Sequence, residues 1–342
     1  MLALDRARGN AHKTEMLLRT VVTLLVACLP LGALAAQEAS PLAMADRRLA
    51  VIAERLQGAN VALCRQVMPL TGLILHSADQ YGQPSPARFA DGPVAVAQVL
   101  PASPAAAAGL LANDAVVAIG GQAVAELTLQ PGHPRRDAAF EALAGQDPAQ
   151  PLALSVRRGG LDIPVEINAV PGCRALVEVL TEGGNLARSD GRVIQVSQAM
   201  VARLSDDDLA VIVAHELAHA VLEHRRRLSA AGVETGFLGE FGRNRRLRRQ
   251  VEAEADVLSV HLLANAGYDP VIAPRFWRSD AGAQTDSGIL RSGAYHSRHQ
   301  RAAMMEAEIT AHLAWAALPP MTGPSLAGHL LEARDAPFPV AD

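Results

Sequence analysis

The spacing His215-Glu216-Leu217-Ala218-His219 constrains this chain more than any other feature. Residues four apart on an α-helix are turned by about 40°, so both imidazoles leave one face and can share one metal ion. Glu216 follows one residue on, beside the open coordination position, where it can take a proton from an activated water. Composition alone produces about 0.02 such patterns in a chain of this length, which makes coincidence a poor account. The plain alternative is a helix with two hydrogen-bonded histidines. It fits badly, because Val211, Ile212, Val213 and Leu217 already supply an apolar stripe and a buried Glu216 would need a partner. Ser205 and Asp208 predict the start of this helix as a capping box. The acids at 206–208 suit its dipole, and the pattern continues to about Arg226.

A catalytic zinc takes three protein ligands, and the third is expected from a neighbouring helix. Glu252-Ala253-Glu254-Ala255-Asp256 begins 33 residues past His219, on a second expected helix from Arg245 to Ala266. Glu252 is the candidate third ligand. Asp256, four residues on, shares its face and can accept a proton from a ligand imidazole, fixing the tautomer. Glu254 is turned about 200° from Glu252 and reads as surface. The competing account is an acidic helix face that balances nearby arginines.

The 342-residue chain leaves room for two ordinary domains. Aromatics are only 3%, so the core must be built from Ala, Val and Leu. A net charge of −4 gives no sign of a nucleic-acid partner. Arg19 followed by the apolar run Val21–Ala36 reads as a signal peptide over 1–35, cut after Ala33-Leu34-Ala35, with Met16 an alternative start. A retained anchor, and lipidation at Leu25-Val26-Ala27-Cys28, stand as alternatives. The expected location is periplasmic or secreted, with at most peripheral membrane contact. Cys28 would leave with the signal. Cys64 and Cys173 then form an even pair for a disulfide in an oxidising compartment, bracketing the segment between them.

Leu42, Leu49, Ile52, Ala53 and Leu56 predict an amphipathic helix within an N-terminal segment, 36–64, that packs on the later domain. From 65 to 172 short Val-rich runs alternate with Gly and Pro. Ser103-Pro104-Ala105-x-x-x-Gly109-Leu110, Asn113-Asp114 and Ile119-Gly120-Gly121-Gln122-Ala123-Val124 resemble a bacterial PDZ domain. An unrelated small β-barrel would also carry such punctuation. Leu70-Thr71-Gly72-Leu73-Ile74 resembles the carboxylate-binding loop of such domains. This implies that Thr71, Gly72 and Leu73 receive a C-terminal peptide, with an ordinary first strand as the alternative.

His215-Glu216-x-x-His219 followed by Glu252-x-x-Ala255-Asp256 resembles the gluzincin family of the CAAX prenyl endopeptidases, the heat-shock membrane protease and the OMA-type proteases. The resemblance covers about 175–312 and implies one zinc per chain on His215, His219 and Glu252, with Glu216 as base and acid. It also implies a zincin-like α+β fold and hydrolysis of protein or peptide substrates, in quality control of envelope proteins. Asn185 matches an Asn in a strand-edge loop of the family. His224, about 140° round from His219, reads as supporting or surface. His296, in Tyr295-His296-Ser297-Arg298-His299-Gln300-Arg301, falls where the family has a His-Pro segment, with Ser297 in place of proline. It is a candidate catalytic residue, either as a latch on the metal or as a donor to the oxyanion; a solvated loop histidine is the alternative. The interval 228–242 is too short to span a membrane, unlike the embedded relatives. It reads as a lid or lipid-touching patch, or as a solvated basic loop. The expected architecture is an N-terminal helix, an inserted PDZ-like domain over 65–172, a metallopeptidase domain over 173–315 and a loose tail over 316–342. Another metal, and a PDZ adaptor on a catalytically silent scaffold, remain as rivals.

Overall fold

Ser40 accepts a hydrogen bond from the Ala43 amide and Pro41 takes the first helical position, so helix α1 (Pro41–Ala59) starts where its orphan amides are satisfied. The computed structural model describes residues 40–81, 88–184, 186–189, 192–233, 242–289, 296–313, 327–336 and 338. The expected signal segment, Asn185, Tyr295 and most of the 228–242 interval lie outside these. The helix buries Ala45, Leu49, Ile52, Ala53 and Leu56, close to the expected stripe.

Strand β1 (Val67–Leu70) follows, then β2 (Leu73–Ser77), β3 (Val94–Val99), the one-turn helix α2 (Pro104–Ala107), β4 (Ala115–Ile119) and β5 (Gln122–Ala123). Helix α3 (Arg135–Ala144) precedes the hairpin β6 (Leu152–Arg158) and β7 (Leu161–Ile167), and β8 (Val170–Cys173) leaves the segment. The sheet runs β2-β3-β4-β6-β7, with β5 paired to β4. Gly120 and Gly121 both have positive φ, +55° and +82°, as a two-residue hairpin turn requires. Val94, Val96, Val116, Ile119, Leu152, Leu154, Val156 and Ile167 form a separate core, closed by Leu143 of α3. β1 and β8 pair antiparallel from Val67↔Cys173 to Leu70↔Val170. The segment therefore enters and leaves on one ribbon. At its base Cys64 and Cys173 are joined by a disulfide, Cα–Cα 5.5 Å.

Beyond it, β9 (Leu176–Leu180), β10 (Ala187–Ser189) and β11 (Val193–Ser197) form a second sheet, order β10-β11-β9. Helices α4 (Gln198–Arg203), α5 (Asp206–Val221), α6 (His224–Ala230), α7 (Gly242–Asn265), α8 (Ile272–Arg278), α9 (Asp280–Ile289), α10 (Arg298–Glu308) and α11 (Gly328–Asp335) complete the described chain. The architecture is α+β. Helix α5 is buried nearly throughout, from Leu209 to Val221, and the apolar face of α1 joins the same core. Among the described residues no helix is long and apolar enough to cross a membrane.

Two expectations differ. The α5 helix stops at Val221, because Glu223 takes a left-handed φ of +51°. The segment expected to be a loose tail contains α11: Leu330 and Leu331 pack on the main core, and Phe338 is buried with Leu247 and Val251. Apolar side chains spaced among Pro and Gly are enough to dock a short helix when a groove awaits them.

Candidate metal centre

Ser205 and Asp208 form the capping box that starts α5. The helix then carries His215 and His219 to the point where α7 brings Glu252. His215 Nε2 lies 3.3 Å from His219 Nε2 and 3.3 Å from Glu252 Oε2, and His219 Nε2 lies 3.6 Å from that oxygen. A tetrahedral zinc with bonds of about 2.0–2.1 Å separates its ligand atoms by roughly 3.3 Å. The three donors fit the ion's size and chemistry without rearrangement. Glu216 sits beside them on the same turn. Burial pushes its carboxyl pKa up, against the pull of the two imidazoles, so it is disposed to gain a proton. Glu252 is held well below the usual carboxylate range: the imidazoles of His219 and His215 outweigh its burial.

Each imidazole is oriented from behind. His215 Nδ1 lies 3.0 Å from Asp256 Oδ1, the partner expected for it. Asp256 is in turn paired with both Nε and Nη2 of Arg301, whose guanidinium lies 3.5 Å from the Trp277 ring centroid. Burial opposes a charge on His215. The hydrogen bonds to Asp256 and Glu252 outweigh it and hold the pKa up to about 10.

On the second arm His224 takes the supporting place, and the surface reading of Glu254 is corrected. His219 Nδ1 lies 2.8 Å from His224 Nδ1, and His224 Nε2 lies 3.1 Å from Glu254 Oε2. Glu254 also pairs with Arg227 and accepts from Gln250. A helix continued through Glu223 would carry His224 away from His219. The left-handed Glu223 folds the chain back, and its carboxylate is held by Arg65 and Arg226. Glu254 is therefore no surface acid: it faces α6 and anchors His224. The one metal ligand state consistent with this arm is His219 donating through Nδ1–H to a neutral His224. Burial, only partly offset by Glu254, pushes the His224 pKa down to about 4.

His296 is half-buried just ahead of Ser297, which caps α10. Among the described residues no hydrogen bond or ion pair joins it to the three ligands. The residue of that stretch that reaches the centre is Arg301, the last of the quoted Tyr295–Arg301 cluster.

Thr71 and Gly72 lead into β2, which begins at Leu73 and is the edge strand beside α3. The amides of Gly72 and Leu73 already donate within the chain. The Gly72 amide binds Glu54 Oε1 of α1 at 2.8 Å, and the Leu73 amide binds Thr71 Oγ1 at 3.2 Å. Burial raises the Glu54 pKa against the Gly72 hydrogen bond. Gly72 has φ +75°, and a Cβ there would meet Ser103 Cβ at 2.1 Å.

Residues 95–133 match the family model described as PDZ domain. A crystal structure of the HtrA3 PDZ domain bound to a phage-derived ligand, FGRWV, is 22% identical, covering 31% of this chain and 88% of that chain, with a TM-score of 0.23. No curated protein matches the sequence significantly. The matched residues do not extend to His215, His219 or Glu252. This chain contains a PDZ domain, within the segment bracketed by Cys64 and Cys173.

Proposed function

We propose that this chain is a zinc-dependent endopeptidase of the gluzincin type, zincin-like around α5 and α7, acting on envelope or misfolded proteins in the periplasm or outside the cell. The observation that carries the reading is the 3.3, 3.3 and 3.6 Å triangle of His215, His219 and Glu252 donor atoms. When bound there, zinc would supply Lewis acidity to the scissile carbonyl and lower the pKa of a water. Glu216 takes the proton from the attacking water and delivers it to the leaving amine. Asp256 with Arg301, and His224 with Glu254, hold the two imidazoles in the tautomers that leave Nε2 free to ligate. β10, at the edge of its sheet and beside α5, supports docking of an extended substrate by strand addition. The disulfide supports the oxidising compartment.

In this reading the PDZ domain receives an extended chain end along β2, with its carboxylate on the Thr71–Leu73 amides. That carboxylate has to replace Glu54.

The test is casein hydrolysis with and without chelator, alongside Glu216→Gln. Wild type should cleave and lose activity on chelation. Glu216→Gln should keep its zinc and lose cleavage by about 10³-fold or more. Normal activity in Glu216→Gln would overturn the mechanism. Zinc binding with no hydrolysis by wild type would favour the adaptor on a silent scaffold.

A further inference from the structure

Three helices converge on a second cluster of metal-ligating side chains. His261 lies on α7, nine residues past Glu252; Glu308 ends α10; His329 is on α11. His261 Nε2 is 2.7 Å and His329 Nε2 2.9 Å from the same oxygen, Glu308 Oε1. One donor atom from each of the three lies within 4.8 Å of the others. A fourth group stands beside them. His312 Nε2 is 3.9 Å from Glu308 Oε2, and its ring stacks on that of His329 with centroids 4.4 Å apart. From Ile309 to Leu313 the helix is wound as a π-turn, a distortion that collects at functional sites.

We propose that His261, Glu308 and His329 form a second metal site, selective for zinc or a similar transition ion, with His312 beside the fourth position. Three imidazoles around a single carboxylate make a borderline-soft nitrogen and oxygen set, which suits zinc and disfavours calcium or magnesium. Both imidazole nitrogens are closer to Glu308 Oε1 than a bound ion would place them, and need to part from it by roughly half an ångström to reach tetrahedral spacing. His261 is 1% exposed, so its ring approaches Glu308 from the inside of the fold. His329 and His312 are partly exposed and give the ion access from solvent. The ion would tie α11 to α7 and α10, the two helices that carry Glu252, Asp256 and Arg301.

The experiment removes the first site and counts what is left. A His215→Ala/Glu252→Ala chain, dialysed against zinc and analysed by elemental mass spectrometry, should retain about one zinc per chain. Adding His329→Ala, at a partly exposed position, should reduce this to background while circular dichroism stays unchanged. Zinc should also raise the Tm of the His215→Ala/Glu252→Ala chain, and His329→Ala should abolish that rise. No zinc in the His215→Ala/Glu252→Ala chain would overturn the proposal, as would zinc that persists after His329→Ala. If the first site itself binds no metal, wild type would hold one zinc where two are expected, and the variant that lacks His215 and Glu252 would still hold one.

Discussion

The two imidazoles that face the proposed zinc differ in what stands behind them. His215 leans on a carboxylate and an arginine, while His219 leans on another histidine. A His–His contact works only if one ring donates and the other accepts, so His224 must be neutral with its proton on Nε2, toward Glu254. Replacing His224 by Ala leaves His219 free to turn. Zinc affinity should then fall about 10–100-fold, read by chelator competition, with the fold intact. An unchanged affinity would mean that α5 alone orients His219. A separate residue-scale prediction concerns Glu54. Its carboxylate occupies the Gly72 amide, so Glu54→Gln should tighten binding of peptides with a free C-terminus, measured by fluorescence anisotropy on the full chain. Weaker or equal binding would show that chain ends dock elsewhere. Neither His224 nor Glu54 could be assigned from spacing. His224 depends on one left-handed residue, Glu223, and Glu54 depends on a contact 18 residues away in the chain.

At the scale of single elements, the loop into β2 leaves no room for a side chain. Gly72→Ala combines a φ of +75° with a clash against Ser103. It should destabilise the PDZ domain by about 2 kcal/mol or more, visible as a lowered urea midpoint. Strand β2 also carries His76, 6% exposed, with Nδ1 2.9 Å from the Tyr81 hydroxyl and Nε2 without a hydrogen-bond partner among the described residues. Burial, aided by the Arg88 charge, pushes its pKa down to about 4. The folded state therefore excludes a proton that the unfolded chain takes up below about pH 6.5. Its contribution to stability is complete above that pH and is lost as pH falls toward about 4. His76→Phe should flatten this acid limb when denaturant midpoints at pH 7 and pH 5 are compared. An equal drop in both proteins would place the acid sensitivity elsewhere. Strands, hairpin turns and caps in this region were legible because Gly-Gly pairs, Ser-Pro and alternating Val act locally. The docking of α11 was not legible, because Leu330, Leu331 and Phe338 are too few to signal burial until α7 and the main core provide a surface.

Across the whole molecule, α1 belongs to the main core and hydrogen-bonds to the PDZ domain. Leu49, Ile52 and Leu56 are buried with α5 and α7, while Arg47 and Glu54 reach Gln98 and Gly72 of the PDZ domain. The disulfide holds the same junction from the other side, closing a sequence separation of 109 residues. In the chain-entropy model such a loop stabilises the fold by about 4–5 kcal/mol. A Cys64→Ser/Cys173→Ser chain should lose a substantial part of that in urea unfolding, and a loss below about 1 kcal/mol would show that the β1–β8 ribbon and α1 suffice. By itself the sequence determined the helix pair, the spacing of His215, His219, Glu252 and Asp256, and the PDZ punctuation. Each of these follows from periodicity or steric rules that operate within a few residues. Only the tertiary structure decided what stands behind His215 and His219, which acid binds the Gly72 amide, and that His261, Glu308 and His329 meet. Those contacts join residues tens to hundreds of positions apart, and no local rule relates them. They exist because helices packed on one core bring their polar faces to common points.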